Sequence, residues 1–348
     1  MRHKWIWALA AAACIMLAVP FTGGAAQDLD LNRDCSLTVS SGDGEMAGLL
    51  AEAGVVVDLY KVADASEEGA GGYGFISKGA FSALQIGADI DGAGWQQLAQ
   101  QAAGIALGAD GGPGQVPSVQ GAALDSPITS GSGGNLDAGL YLLIARGADV
   151  KDYVVAARGE DGEERIATVA YTRDKTIRFA PELVAVPSKE ADENGVINTA
   201  NPGEWIYDLT VYLKPETDVR YGSLEIIKDL LTYEDSYEAT FVFQVEAVLD
   251  GETVYSDVVT ISFTEPGRKQ ILIDNIPVGA VVTVTEVYSG AGYKLVSQEP
   301  PGSFTITADE TASVTFTNDY ENRRTGGLGI TNRFSYSIEE GEWEWVQE

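Results

Sequence analysis

Histidine and cysteine are almost absent from this chain. Its 348 residues include one histidine, His3, and two cysteines, Cys14 and Cys35. His3 lies at the amino terminus, in a segment that is predicted below to be removed. Catalysis of the Ser-His-Asp or Cys-His kind and zinc sites that require histidine are therefore excluded, and we expect no metal site.

Positive charge is also scarce. The chain has 22 Lys and Arg residues against 52 Asp and Glu residues, which gives a formal net charge of −30 at pH 7. Such an acidic surface repels nucleic acids and anionic membranes. We therefore expect no nucleic-acid partner.

The sequence lacks complete motifs for cofactors and for catalysis. Gly112-Pro113-Gly114 has none of the rest of a dinucleotide-binding fingerprint, and Asp89-Ile90-Asp91-Gly92 is not followed by the glutamate of a calcium loop. Paired carboxylates such as Glu163-Glu164 and Glu339-Glu340 are typical of solvated turns. We expect neither a cofactor nor an enzyme that turns over substrate.

Long apolar runs are missing except at the amino terminus. A basic start at residues 2–4, the apolar run Trp5–Val19 and small residues at 24–26 form the three parts of a secretory signal peptide. The run is short for a membrane span, which needs about 20 apolar residues. An uncleaved anchor is the alternative, whereas a lipid attached at Cys14 is disfavoured because no large apolar residue stands three positions earlier. We predict an exported protein that begins near Gln27 and has no membrane span.

Removal of the signal peptide leaves Cys35 without a partner for an internal disulfide. We interpret it as an inert small residue at the head of a strand. An extracellular protein without disulfides must gain its robustness in another way.

The rest of the chain is dominated by short β-rich runs between Gly- and Asp-rich turns. Residues 27–215 are predicted to form an amino-terminal β domain with a short helix near Trp95–Ala103. Gly104–Asn135 and Ser188–Pro202 are predicted to be surface loops. The predicted strands of this domain are Ser36–Val39, Val55–Val62, Tyr141–Ala145, Tyr153–Ala157, Ile166–Tyr171 and Trp205–Lys214.

Residues 221–320 have a cleaner strand rhythm. Seven short alternating strands with regular turns indicate an immunoglobulin-like sandwich. We therefore predict a mainly β protein with tandem sandwich domains. The seven strands are Leu224–Lys228, Thr240–Leu249, Thr253–Phe263, Lys269–Ile273, Ala280–Tyr288, Gly302–Ile306 and Ala312–Thr317.

The tail, residues 321–348, places aromatic residues at period two on both sides of a turn, which predicts a hairpin with aromatic cross-strand pairs. Whether that hairpin packs on this chain or on another stays open. The residues concerned are Phe334, Tyr336, Trp343 and Trp345.

Three polar residues of the second domain stand where strand alternation predicts core positions. Burial would lower the pKa of an amine and raise that of a carboxyl. Neutral Lys228 could then attack the carbonyl of Asn318 while protonated Glu286 polarises it. We predict a spontaneous Lys228–Asn318 isopeptide bond promoted by Glu286. The alternatives are a buried Lys–Glu ion pair with the asparagine as hydrogen-bond partner, or a one-residue register error that exposes all three.

Two motifs resemble the backbone pilins of Gram-positive sortase-assembled pili. The family's pilin motif runs Trp-x3-Val-x-Val-Tyr-Pro-Lys, and its E box runs Tyr-x-Leu-x-Glu-Thr-x-Ala-Pro-x-Gly-Tyr. Segment 282–293 keeps Glu286 and the Gly292-Tyr293 end of the E box in register. The pilin motif is matched, with leucine for the first valine and Leu213 for the proline, by Trp205, Leu209, Val211, Tyr212 and Lys214.

The resemblance extends over most of the chain that follows the signal peptide. The runs SLTV, VDLYKVAD and GLYLLIARG look like the amino-terminal domain of that family, and residues 221–320 look like a Cna B-type or T-antigen-type isopeptide domain. The resemblance implies an extracellular, wall-associated or pilus-associated structural subunit whose partners are other pilin subunits and a sortase. It also implies that Lys214 is the acceptor of an intermolecular linkage.

One departure from the family leaves polymerisation open. The family's major subunits end in a Leu-Pro-x-Thr-Gly signal, an apolar span and a basic tail, and none of these precedes Glu348. We expect a truncated chain, attachment through a partner, or release. The alternative function is a secreted or wall-associated adhesin module that binds a host or matrix ligand through its acidic loops or its aromatic tail.

Overall fold

A computed structural model describes the chain in ten segments, and these divide into two compact units that meet in sequence between Val219 and Arg220. The predicted signal peptide lies outside the described residues. Within them, no helix is long and apolar enough to cross a membrane. The described segments are 29–68, 72–87, 90–109, 112–128, 136–159, 162–189, 205–234, 238–321, 333–337 and 342–346.

The first unit is built mainly of strands, with two α-helices among its described residues. In chain order its elements are β1 (Ser36–Ser40), α1 (Gly44–Glu52), β2 (Val55–Glu68), β3 (Gly72–Ser77), a 3-10 helix (Gly79–Phe81), α2 (Gly92–Leu107), β4 (Val119–Ala123), β5 (Pro127–Ile128), β6 (Gly139–Gly147), β7 (Val154–Arg158), β8 (Glu164–Tyr171), β9 (Lys175–Phe179), β10 (Glu182–Val186), β11 (Ser188–Lys189), β12 (Trp205–Ile206), β13 (Asp208–Tyr212) and β14 (Glu216–Val219).

The long strand β2 organises this unit. It pairs with β6, β3 and β4, and β10 continues the same sheet beyond β6. A second sheet has the order β14-β9-β8-β7, a third has the order β13-β1-β5, and β11 pairs with β12. Helix α2 packs its buried face, which includes Trp95 and Leu98, against β6, β8 and β10. The core of the unit therefore lies beneath that helix.

Helix α2 is longer than the predicted Trp95–Ala103, and α1 was not predicted. The Asp91 carboxylate caps α2 by accepting a hydrogen bond from the backbone N–H of Gly94 at 2.8 Å. Gly108 ends the helix in the left-handed region, with φ 76°. These caps extend the helix one turn beyond the apolar pattern at each end.

The prediction that Gly104–Asn135 is a loop is wrong for its described part. That part contains the end of α2 and the strands β4 and β5. A buried ion pair explains β4, because Asp58 accepts hydrogen bonds from Arg146 Nε at 2.7 Å and from the backbone N–H of Gly121 at 2.7 Å. Tertiary contacts, and not a local apolar pattern, hold this strand on β2.

Cys35 is buried at the entrance to β1, where it forms an isolated bridge with Leu136. Burial raises the pKa of its thiol to about 11, with Asp208 adding to the shift. The thiol therefore stays protonated at neutral pH, as an inert core residue does.

The second unit is a two-layer sandwich of eight strands among its described residues, followed by a two-stranded hairpin. Its strands are β15 (Tyr221–Leu230), β16 (Ala239–Leu249), β17 (Glu252–Phe263), β18 (Gly267–Pro277), β19 (Val281–Tyr288), β20 (Tyr293–Glu299), β21 (Phe304–Thr305), β22 (Thr311–Tyr320), β23 (Arg333–Ser337) and β24 (Glu342–Val346).

The two sheets of the sandwich have the orders β18-β15-β22-β20 and β17-β16-β19-β21. Their inner faces share one core, in which the ring centroids of Phe243 and Phe316 lie 5.0 Å apart. The predicted mainly β fold with an immunoglobulin-like sandwich is confirmed. In the hairpin, β23 and β24 pair Phe334 with Trp345 and Tyr336 with Trp343.

The sequence prediction of seven strands missed β20. This edge strand pairs with β22 on one side only, and its register shifts between Leu295 and Ser297. Because the shift breaks the alternation of buried and exposed residues, the strand carries no clear period-two pattern.

Candidate functional site

Strands β15 and β22, the first and last of the sandwich, lie side by side and run parallel. Their register places Lys228 opposite Phe316, and Leu230 opposite Asn318. Glu286 comes from β19 in the other sheet, where it pairs with Phe243. Two strands of one sheet and one strand of the facing sheet therefore supply the three polar residues.

Strand phase places these side chains in the core. Along β15, Leu224, Ile226 and Lys228 are all fully buried. On β19, Thr283 and Thr285 are exposed, and the residues that alternate with them point inward. The register of the three strands thus carries an amine, a carboxyl and an amide to core positions.

The three groups are within hydrogen-bonding distance of one another. Lys228 Nζ donates to Asn318 Oδ1 at 2.5 Å and to the backbone oxygen of Phe316 at 3.1 Å. The Asn318 amide donates from Nδ2 to Glu286 Oε1 at 3.0 Å and to Oε2 at 3.2 Å. Lys228 Nζ lies 3.5 Å from Glu286 Oε1. The carboxyl of Glu286 therefore reaches both the amine and the amide nitrogen.

Burial dominates the electrostatics of this trio, the side chains of Lys228, Glu286 and Asn318. Lys228 and Asn318 are 0% exposed, and the Glu286 side chain is 1% exposed although its residue as a whole is half-buried. Desolvation lowers the pKa of Lys228 to about 8, against the opposing charges of Glu286 and Asp229. Desolvation likewise raises the pKa of Glu286, although Lys228 and the hydrogen bonds from Asn318 and Ser289 oppose that shift. Both shifts favour the uncharged forms.

A row of aromatic rings lies beside the amine. Lys228 Nζ is 4.5 Å from the ring centroid of Phe241. The Phe241 and Tyr293 centroids lie 5.6 Å apart, and those of Tyr293 and Tyr320 lie 5.4 Å apart, both in edge-to-face contact. We call Phe241, Tyr293 and Tyr320 the aromatic row.

Gly292 is required for the end of this row. Its φ is +84°, and a Cβ at this position would lie 3.0 Å from Tyr320 Cε2. The Gly292-Tyr293 end of the E box therefore belongs to the site. Sequence reasoning kept this pair in register but assigned it no role, and it missed Phe241, because cross-strand ring contacts are invisible in a linear pattern.

This arrangement of side chains suits an exchange in which the amine of Lys228 replaces the amide nitrogen of Asn318. An amine that is easily deprotonated touches a primary amide, and a carboxyl that is easily protonated touches both nitrogens. No cluster of His, Cys, Asp and Glu that could hold a metal ion occurs in the described part of the chain.

Lys214 lies in the first unit, exposed, between β13 and β14. Strand β13 forms the edge of its sheet and runs parallel to β1, with Leu209 opposite Leu37 and Val211 opposite Val39. The pilin-like motif thus forms an edge strand that ends in an exposed lysine.

Trp205, the first residue of that motif, contacts a lysine that sequence reasoning did not single out. Lys189 pairs with Trp205 across β11 and β12, and its Nζ lies 4.2 Å from the centroid of the Trp205 ring. Burial lowers the pKa of Lys189. The tryptophan therefore packs over a desolvated amine.

Comparison with known families gives one partial match. A family model described as a domain of unknown function (DUF5979) matches residues 228–321, less than half of the chain. The matched segment contains Lys228, Glu286 and Asn318. No curated protein matches this chain.

Several solved structures are similar to the chain, with low scores. A bacterial adhesin from Mobiluncus mulieris, described as containing intramolecular disulfide, isopeptide and ester bond cross-links, is 15% identical, with 56% of this chain and 81% of that chain covered and a TM-score of 0.23. The minor pilin of Streptococcus agalactiae is 15% identical, with 77% and 83% covered and a TM-score of 0.20. The major pilin of Streptococcus pyogenes is 15% identical, with 57% and 84% covered and a TM-score of 0.20.

All three structures are described as pilins or adhesins. Identities and TM-scores this low assign no function.

Proposed function

We propose that this chain is an exported, pilin-like structural subunit of the cell surface whose second unit is locked by an isopeptide bond between Lys228 and Asn318. The observation that carries the proposal is the buried trio, in which the amine contacts the amide and Glu286 contacts both. The chain acts on itself once and is not a turnover enzyme.

The bond forms by a balanced exchange of one amine for another. Glu286 takes a proton from Lys228, and the neutral Nζ attacks the Asn318 carbonyl carbon. Glu286 then returns that proton to Nδ2, the carbon–Nδ2 bond breaks, and ammonia leaves as the Nζ–carbon amide forms. Glu286 takes the second proton that Nζ must lose, so the products are the amide, ammonia and a protonated Glu286. The reaction needs no oxidant and no nucleotide.

The reaction also removes a buried charge problem. In an unreacted trio, Lys228 and Glu286 are buried either as an ion pair or as a neutral amine beside a protonated carboxyl. Burying the two charges of the ion pair carries a large desolvation penalty. The product is a neutral amide beside Glu286, which supports reaction over the alternative of a permanent Lys228–Glu286 ion pair.

We expect the intact mass of the secreted protein to be lower by one ammonia than the mass of the chain from Gln27. Peptide mapping should recover a branched peptide that joins Lys228 to Asn318. The same measurement reports signal cleavage. A chain with its full unreacted mass contradicts the proposed bond.

Ring closure of Asn318 onto its own backbone also releases ammonia, so matched variants are needed. Lys228→Met keeps the length of the side chain and removes the amine, and Glu286→Gln keeps the shape and removes the acid. Both variants, like Lys228→Ala and Glu286→Ala, should retain the full mass. Continued loss of ammonia in Lys228→Met assigns that loss to a group outside the proposed bond, either Asn318 alone or an amino-terminal Gln27 that cyclises onto its own amine.

We propose that Lys214 is the acceptor amine for linkage between subunits by a sortase. Its exposure at the end of an edge strand, next to Pro215, supports attack on an acyl-enzyme thioester. In cells that carry the cognate sortase, Lys214→Ala should abolish high-molecular-weight ladders. Lys151→Ala removes another exposed lysine of the same unit and should leave them intact. Undiminished ladders in Lys214→Ala remove this lysine from the mechanism.

A further inference from the structure

The aromatic row connects the buried amine with the edge of the sheet. Phe241 contacts the amine on one side and Tyr293 on the other, and Tyr293 contacts Tyr320. Tyr293 and Tyr320 are also direct cross-strand partners in β20 and β22. Because Tyr320 is two positions from Asn318, the row touches the strands of both reacting residues.

Tyr293 has an anchor of its own. Its hydroxyl accepts a hydrogen bond from the backbone N–H of Glu234 at 3.0 Å, 59 positions away in sequence. A Cβ on Gly290 would lie 3.1 Å from Tyr293 Cδ2, so the adjoining turn closes against the ring. The ring is therefore fixed on several sides, whereas the neighbouring residues of β20 are largely exposed.

We propose that Tyr293 is a positioning residue for the Lys228–Asn318 bond, holding Phe241 against the amine and fixing the end of β22 that carries Asn318. This inference rests on the proposed function. The Gly292-Tyr293 end of the E box then contributes to bond formation, although neither residue touches the reacting atoms.

Removal of the ring has a predictable physical consequence. Without Tyr293, Phe241 loses an edge-to-face neighbour and water gains access to Lys228 from the edge of the sheet. A hydrated ammonium is favoured over the neutral amine. The reactive form, neutral lysine with protonated glutamic acid, is then less populated at a given pH.

Few charged groups surround Lys228. Glu286 faces it from β19, Asp229 follows it on β15, and Lys269 is its partner on β18. The Lys269 amine donates instead to the backbone oxygen of Ser262 at 2.6 Å. On β16 and β22 the groups that face the amine are the uncharged Phe241, Phe316 carbonyl and Asn318 amide. The pH dependence of the reaction therefore belongs to the Lys228–Glu286 pair.

That pair reacts while it holds one proton between its two members. Moving this proton from lysine to glutamate changes no net charge, so the rate should be flat over the range in which one proton is bound. Above about pH 8 the pair loses its proton and the rate should fall. Below the raised pKa of Glu286 the pair holds two protons and the rate should also fall.

The test starts from full chain that is recovered unreacted from inclusion bodies in denaturant, and follows the intact mass over time after refolding on both sides of pH 8. Tyr293→Phe keeps the ring and loses only the hydroxyl that accepts from Glu234, so its rate should fall above the same pH as that of the wild type. Tyr293→Leu should react more slowly, about tenfold for each unit by which the Lys228 pKa rises. The pH above which its rate falls, which we call the upper pH limb, should move from about 8 toward 10.5.

Two further variants separate positioning from general loss of stability. Tyr255→Leu removes a half-buried ring of the same sandwich outside the aromatic row, and should leave the pH limb in place. Tyr320→Leu, a second probe if Tyr293→Leu does not fold, should move the limb in the same direction by a smaller amount. A limb that stays at the wild-type pH in both row variants overturns the inference, as does an unchanged rate. A wild-type chain that never loses ammonia instead overturns the proposed function and this inference with it.

Discussion

The second unit of a chain without the Lys228–Asn318 bond is expected to melt about 20–30 °C below the wild type. The two residues are 90 positions apart, so the bond closes almost the whole sandwich into one ring. By analogy with disulfides, a ring of this size removes enough entropy from the unfolded chain to stabilise the fold by about 4–5 kcal/mol. Calorimetry of the full chain measures the shift, and the transition of the first unit serves as an internal reference.

The variant must lose the bond without leaving a lone buried charge. Glu286→Gln alone strands Lys228 in the core, which adds a destabilisation of its own. The double variant Lys228→Met/Glu286→Gln removes both charges and the bond at nearly constant volume, so it isolates the crosslink. If the second unit of the double variant melts at the same temperature as that of the wild type, the bond is absent or contributes nothing to stability.

A second large effect concerns extension under force. With handles at Lys214→Cys and Glu321→Cys in a Cys35→Ala background, a load on the crosslinked chain passes from Lys228 directly to Asn318. The backbone outside the ring then spans only about 60 Å when fully extended. In the Glu286→Gln version the whole segment unravels to about 370 Å. Single-molecule extension distinguishes these lengths by a wide margin.

This measurement also checks where the ammonia comes from. In a preparation whose mass shows the loss of one ammonia, extension should stop at the short length of about 60 Å. A step of several hundred ångströms in that preparation would place the lost ammonia elsewhere and contradict the Lys228–Asn318 assignment.

Much of the site can be predicted from the sequence because strand alternation acts locally. The inward phase of Lys228 follows from Leu224 and Ile226, and that of Asn318 follows from its own strand, so the core positions could be read without knowing which strands pair. The distances between the three side chains could not be predicted from the sequence. They depend on β15 and β22 running side by side and on the facing sheet that carries Glu286.

The features that sequence reasoning missed all depend on contacts across the fold. Strand β20 has no alternation because it is an irregular edge, and β4 is held by the Asp58–Arg146 pair. The Phe241–Tyr293 contact joins residues more than fifty positions apart, from opposite sheets. Apolar periodicity records which side of an element is buried but does not record what it is buried against.

The placement of Lys228 on the first strand of the sandwich and Asn318 on the last has a consequence for survival outside the cell. The turn between β16 and β17, at Asp250 and Gly251, is exposed to solvent. Once the bond has formed, a cut there opens the ring without dividing the molecule, because the two fragments stay joined through the side chains. The subunit would remain one covalent piece after a break that would sever an ordinary polypeptide.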